Sequence, residues 1–139
     1  ADDEVVEKMG RFAECIGVSF QIRDDILDVV GEEFARGKGG LGMDITEGKR
    51  SLMIIHALRR ADADDKKRLT SILMMHTADE NLRKEAINII KKYGSVNYAK
   101  KVAEKLKRES LNEAEKILPP SKSKDRLIAL ANYLVERKM

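Results

Sequence analysis

A chain of 139 residues holds one domain and a modest core. Its formal charge of +3 is too small and too evenly spread for a nucleic-acid surface. The single cysteine, Cys15, excludes an internal disulfide and a thiolate metal cluster. No apolar run approaches a membrane span and no signal peptide opens the chain, so a cytoplasmic protein is the expectation.

Charged residues make up 37% and aromatics 4%, and both prolines fall at 119 and 120, so long helices are expected before them. Val5, Met9, Phe12, Ile16 and Phe20 recur at three- and four-residue steps and Ile26 or Leu27 and Val30 extend the stripe, predicting a helix over 3–30. Residues 31–49 hold six glycines and no sustained period, which reads as a Gly-rich loop able to serve as a lid or phosphate cradle. Further helices are expected over 50–60, over 64–76, after a cap at Asp79, and after a cap at Ser95. Pro119 and Pro120 stop the last of these, and Ser121 or Ser123 begins a closing helix. The predicted fold is all-α, an antiparallel helical bundle with short connections.

Three carboxylates, Asp24, Asp25 and Asp28, sit on the first helix. Asp24 and Asp28 are one turn apart on one side, with Asp25 about a hundred degrees around. Like charges at this spacing repel unless a cation binds between them, and a hard ion such as Mg²⁺ suits carboxylate oxygens. Taken alone, three acids on a helix are as well explained by a solvated face. His56 and His76 lack a carboxylate or histidine partner at metal spacing and read as structural or surface residues. Met9, Met53, Met74 and Met75 read as core filling, and Cys15 as a small buried hydrophobe.

The aspartates do not stand alone. Gly17, Phe20 and Gln21 precede them, and Gly37, Lys38, Gly42, Asp44, Gly48, Lys49, Ser51 and Leu52 follow. This ordered set resembles the second aspartate-rich region of the trans-isoprenyl diphosphate synthases, makers of farnesyl, geranylgeranyl and longer prenyl diphosphates. Leu118, Pro119, Ser121, Leu127, Leu130, Tyr133 and Arg137 are similar to that family's closing helix. The resemblance implies an isoprenoid synthase-type fold and Mg²⁺-assisted coupling of an allylic diphosphate with isopentenyl diphosphate. It implies that Asp24 is a direct Mg²⁺ ligand, that Asp25 and Asp28 support it, and that Asp44 assists from the loop. Phe20 and Gln21 would lie beside the allylic substrate, and Lys38 and Lys49 would reach the diphosphate. Without the family pattern, both lysines read as solvated loop residues.

Two local features depart from the family. The path from Lys38 to Asp44 is longer and lacks the usual proline, and Met53 stands where the family commonly has proline. The first aspartate-rich motif, the arginines for isopentenyl diphosphate and a lysine-threonine pair have no counterpart here. The chain also opens at Ala1 already within a helical pattern. The expectation is therefore a C-terminal half, as a fragment or a subunit of a split enzyme, inactive alone and associating with itself or a partner chain. A non-catalytic binder of Mg²⁺-diphosphate, or a regulator of a full-length synthase, is the alternative.

Overall fold

A computed structural model describes residues 3–31, 40–117 and 120–136. Gly37, Lys38, Leu118, Pro119 and Arg137, singled out above, lie outside the described residues. Among the described residues, seven helices run in order: α1 (Asp3–Val30), α2 (Met43–Glu47), α3 (Leu52–Arg60), α4 (Ala63–Met75), α5 (Glu80–Lys92), α6 (Ser95–Ile117) and α7 (Lys122–Glu136). No strand occurs among the described residues, and none of their helices is long and apolar enough to cross a membrane. The all-α expectation holds.

Side-chain caps set most of the helix starts. Ser51 accepts the Ile54 N–H at 3.4 Å, Asp62 that of Asp65 at 2.8 Å, and Asp79 those of Asn81 and Leu82 at 2.8 and 3.2 Å. Ser121, rather than Ser123, caps α7 through Lys124 N–H at 3.0 Å. Each such cap contributes about 1 kcal/mol. Ser95 departs from expectation, being the first residue of α6 and not its cap. The Gly94 carbonyl accepts the first helical bond, from Tyr98, and the fully buried Ser95 hydroxyl is paired with His56 Nδ1 at 2.8 Å.

The chain divides into two compact units. One comprises α1 through Arg23 together with the chain from Lys101 onward. Its core gathers Phe12, Ile16, Ala114 and Ala131, flanked by Leu111 and Leu127. Ser19 donates to the Ala103 carbonyl at 2.7 Å, which satisfies a hydroxyl buried on the apolar stripe. Cys15 is half-buried here.

The other unit runs from Asp24 to Lys100. Ile26, Ile45, Met53, Ile54, Leu69, Ile72 and Ile90 are almost wholly buried in it. Each contributes about 1.5–3 kcal/mol relative to exposure. Helices α4 and α5 run antiparallel, since Asp65 at the start of one pairs with Lys92 at the end of the other at 2.7 Å. Arg68 and Glu85 form a two-pronged pair farther along, and Tyr93 donates to Asp65 at 2.6 Å. His56 stacks on Tyr98 with ring centroids 4.2 Å apart, and burial, with the nearby Arg60, lowers its pKa. Met74 and Met75 are exposed rather than core filling, because Leu69, Ile72 and Leu73 already occupy the inward face of α4.

A cluster of acids around a short helix

The last turns of α1 carry Asp24, Asp25 and Asp28 into the second unit, where they meet different partners. Asp28 is 1% exposed. Its Oδ1 accepts the Met43 N–H and its Oδ2 the Asp44 N–H, each at 3.0 Å, while its backbone carbonyl accepts from Gly42 at 2.8 Å. A carboxylate from one helix thereby caps another, where unpaired N–H groups favour negative charge. That contact explains why α2 forms inside a segment whose composition reads as loop. Gly42 makes the turn at φ +86°, and a Cβ there would lie 3.1 Å from the Arg83 Cβ.

Asp25 is also buried, and Lys49 reaches its Oδ1 at 2.7 Å. The hydrogen bond to Asp25 raises the Lys49 pKa, burial opposes it, and the charges of Asp25, Asp44 and Asp24 reinforce it. Lys49 thus stays an ammonium ion within the acid cluster. Gly48 turns the chain at φ +71° between α2 and this lysine, its N–H going to the Ile45 carbonyl.

Asp44, in the first turn of α2, has its pKa raised from 3.8 to about 6. Burial is the main cause and the Asp28 charge the second; Lys49 opposes them, and Asp25 and Glu47 add to the rise. Asp24 is half-buried. The second unit therefore brings together Asp24, Asp25, Asp28, Asp44 and Lys49. Phe20 and Gln21 belong to the first unit. There Phe20 lines an apolar groove of about 330 Å³ with Met9, Ile16 and Leu127, and Gln21 is exposed.

Among the described residues, no three histidine, cysteine or acidic groups converge closely enough to hold a metal ion by themselves. The donors are nonetheless those of a hard cation, which would offset both the burial of the Asp44 carboxylate, the main cause of its raised pKa, and the neighbouring Asp28 charge, the second. Mg²⁺ commonly takes one or two carboxylates and completes its shell with water and substrate phosphates. The residues present fit that mode of binding.

Sequence reasoning did not single out Arg83 or Thr46. Arg83 donates from Nε to Thr46 Oγ1 at 2.8 Å and is 7% exposed. The available signal was its position: Arg83, Ala86, Ile87 and Ile90 share the buried face of α5, where a cation is out of place. His76, expected to be a structural or surface residue, is exposed and hydrogen-bonds the Thr46 carbonyl at 3.0 Å.

Comparison with known proteins agrees with the sequence pattern. The polyprenyl synthetase family profile matches residues 1–90. A short chain isoprenyl diphosphate synthase of Methanothermobacter thermautotrophicus is 43% identical over 126 residues, which cover 91% of this chain and 38% of that protein. The solved geranylgeranyl pyrophosphate synthetase of Pyrococcus horikoshii superposes with a TM-score of 0.86 at 34% identity, covering 99% of this chain and 41% of that one. The geranylgeranyl pyrophosphate synthase of Corynebacterium glutamicum, solved with isoprenyl diphosphate and magnesium, gives a TM-score of 0.88 at 25% identity over 99% of this chain and 39% of its own. The chain thus spans about two fifths of the length of these relatives. On the profile match and the shared sequence, this chain belongs to the polyprenyl synthetase family.

Proposed function

We propose that this chain is the C-terminal, diphosphate-handling part of a short-chain prenyltransferase, which condenses an allylic diphosphate with isopentenyl diphosphate. The observation that carries this reading is the grouping of Asp24, Asp25 and Asp44 with the charged Lys49. Asp24 and Asp44 would hold Mg²⁺, with Asp25 and Asp28 in support. Bound Mg²⁺ would supply neutralisation of the charge that develops on the departing diphosphate. Asp25 keeps Lys49 protonated and limits its freedom. Lys49 would offer a cation to the diphosphate, a role the family resemblance also gives Lys38, and the same resemblance assigns Phe20 and Gln21 to the allylic group. Asp28 serves the site by fixing the start of α2.

The rest of the family fold would come from the same polypeptide, a second subunit or an oligomer, and the assembled enzyme would work in the cytoplasm. Native mass spectrometry of the purified protein distinguishes a partner chain from multiples of 15.7 kDa. In the complete enzyme, Asp24→Asn should lower turnover by about two to three orders of magnitude. A near-normal rate would overturn the metal assignment.

The alternative reading is a non-catalytic Mg²⁺-diphosphate binder or a regulator of a full-length synthase. Calorimetry with an allylic diphosphate separates the two. Mg²⁺-dependent binding by this chain, with no turnover in the assembled enzyme, would favour the second.

A further inference from the structure

Helix α2 is only five residues long, yet it carries Asp44 and leads directly to Lys49. So short a helix has little stability of its own, and its position must come from contacts with other elements. At its start the contact is Asp28. Farther along it is Thr46, which is tied at both its hydroxyl and its carbonyl. The Thr46 hydroxyl accepts from Arg83 Nε at 2.8 Å and donates to the Thr77 carbonyl, while the Thr46 carbonyl accepts from His76 Nδ1 at 3.0 Å. The Arg83 guanidinium also reaches Met43 Sδ at 3.5 Å, and its aliphatic stem packs against Gly42.

We propose that Arg83 is a positioning residue, which grips Thr46 so that α2 presents Asp44 and hands Lys49 to Asp25. This rests on the reading of that cluster as a metal-diphosphate site. A buried guanidinium costs free energy unless its hydrogen bonds are made, so an arginine on the apolar face of α5 calls for a reason. Holding a short functional helix supplies one. The Thr46 hydroxyl is the link, because it joins Arg83 to the turn between α4 and α5 at Thr77.

The experiment is amide hydrogen exchange by NMR on the protein, with Mn²⁺ as a paramagnetic probe of the acid cluster. Arg83→Met keeps the aliphatic stem and removes the guanidinium. Thr46→Val keeps the shape and removes the hydroxyl, so it carries the test even if the arginine variant does not fold. Each should speed exchange at Gly48 and Lys49, whose amides close α2, by about tenfold relative to α4 and α5 amides. Each should also raise, by about tenfold, the Mn²⁺ needed to half-broaden the Asp44 resonance. The double variant should be little worse than either single one, since both break the same link. Arg83→Lys, which retains a cation able to donate, should restore part of the Mn²⁺ response.

Unchanged α2 exchange in a folded Arg83→Met or Thr46→Val protein would overturn the proposal. So would exchange that rises uniformly across α4 and α5, which would mark a stability effect alone. If Mn²⁺ fails to broaden Asp24 or Asp44 in the unsubstituted protein, the metal reading falls, while selective α2 exchange would still support Arg83 and Thr46 as the elements that hold this helix.

Discussion

The carboxylate of Asp28 holds the backbone of Asp44, accepting its N–H at 3.0 Å across 16 residues of sequence. Two acids of one proposed site are thus linked by a hydrogen bond from the main chain of one to the side chain of the other, and the first fixes where the helix that carries the second begins. The arrangement makes Asp28 matter to the site through its hold on α2, whatever part it takes in metal binding.

Substituting Asp28→Asn should therefore destabilise the protein more than a change of charge on a surface helix. An amide offers one acceptor where the carboxylate offers two, so one of the Met43 and Asp44 N–H groups loses its acceptor. The expected loss is about 1–3 kcal/mol. Urea unfolding should show a lower midpoint at an unchanged slope. A midpoint equal to that of the parent protein would mean that the cap contributes nothing.

Asp44 predicts a pH dependence with a definite sign. Its folded pKa of about 6 lies above the ordinary 3.8, so the folded state binds this proton more tightly than the unfolded chain does. The associated stability is fully present below about pH 3.8 and is lost as the pH rises through about 6. In metal-free buffer, Asp44→Asn should consequently gain on the parent protein in thermal midpoint between about pH 4 and pH 7. Added Mg²⁺ should favour the parent and reverse that trend. A difference in midpoint that does not change with pH would contradict the burial of a charged carboxylate at this position.

Lys49→Met removes the ammonium that lies 2.7 Å from the buried Asp25. The lysine is partly exposed, so solvent screening holds the stability loss to about 1 kcal/mol. The effect on ligand binding should be larger, with Mg²⁺-diphosphate affinity of the complete enzyme falling by about tenfold or more. Equal affinity by calorimetry would remove Lys49 from the diphosphate contacts.

Gly48→Ala tests the turn that delivers this lysine. At φ +71° an L-residue is strained, and the added Cβ would lie 2.9 Å from His76 Cε1. The variant should lose about 1–2 kcal/mol of stability, readable as a lowered chemical-denaturation midpoint. In a His76→Ala background, which lacks both the ring and its bond to Thr46, the same change should cost only the backbone part. An equal cost in both backgrounds would mean that the His76 ring moves aside freely.

Much of the architecture is written locally. The apolar spacing of α1 from Val5 to Ile26, the caps at Asp79 and Ser121 and the break near Gly94 concern residues within a few positions of one another. Such short-range preferences act before the chain has folded and can be read in order. The spacing of Asp24, Asp25 and Asp28 likewise required only the geometry of a single helix. Together with Gln21, Lys49 and the intervening glycines, it was enough to indicate the family.

What each aspartate does was decided elsewhere. Asp25 meets Lys49 and Asp28 meets the start of α2 because the chain returns to α1 after a turn at Gly42, and helix spacing carries no information about that return. The glycines around Met43–Glu47 disguise a helix whose cap is borrowed from α1, so no local signal marks it. Arg83 and Thr46 stand 37 residues apart and acquire a shared purpose only once α5 packs beside α2. Periodicity and capping depend on neighbours along the chain, and the sequence by itself determined them. Charge partnership, burial and the raised pKa of Asp44 depend on neighbours in space, and only the tertiary structure decided those.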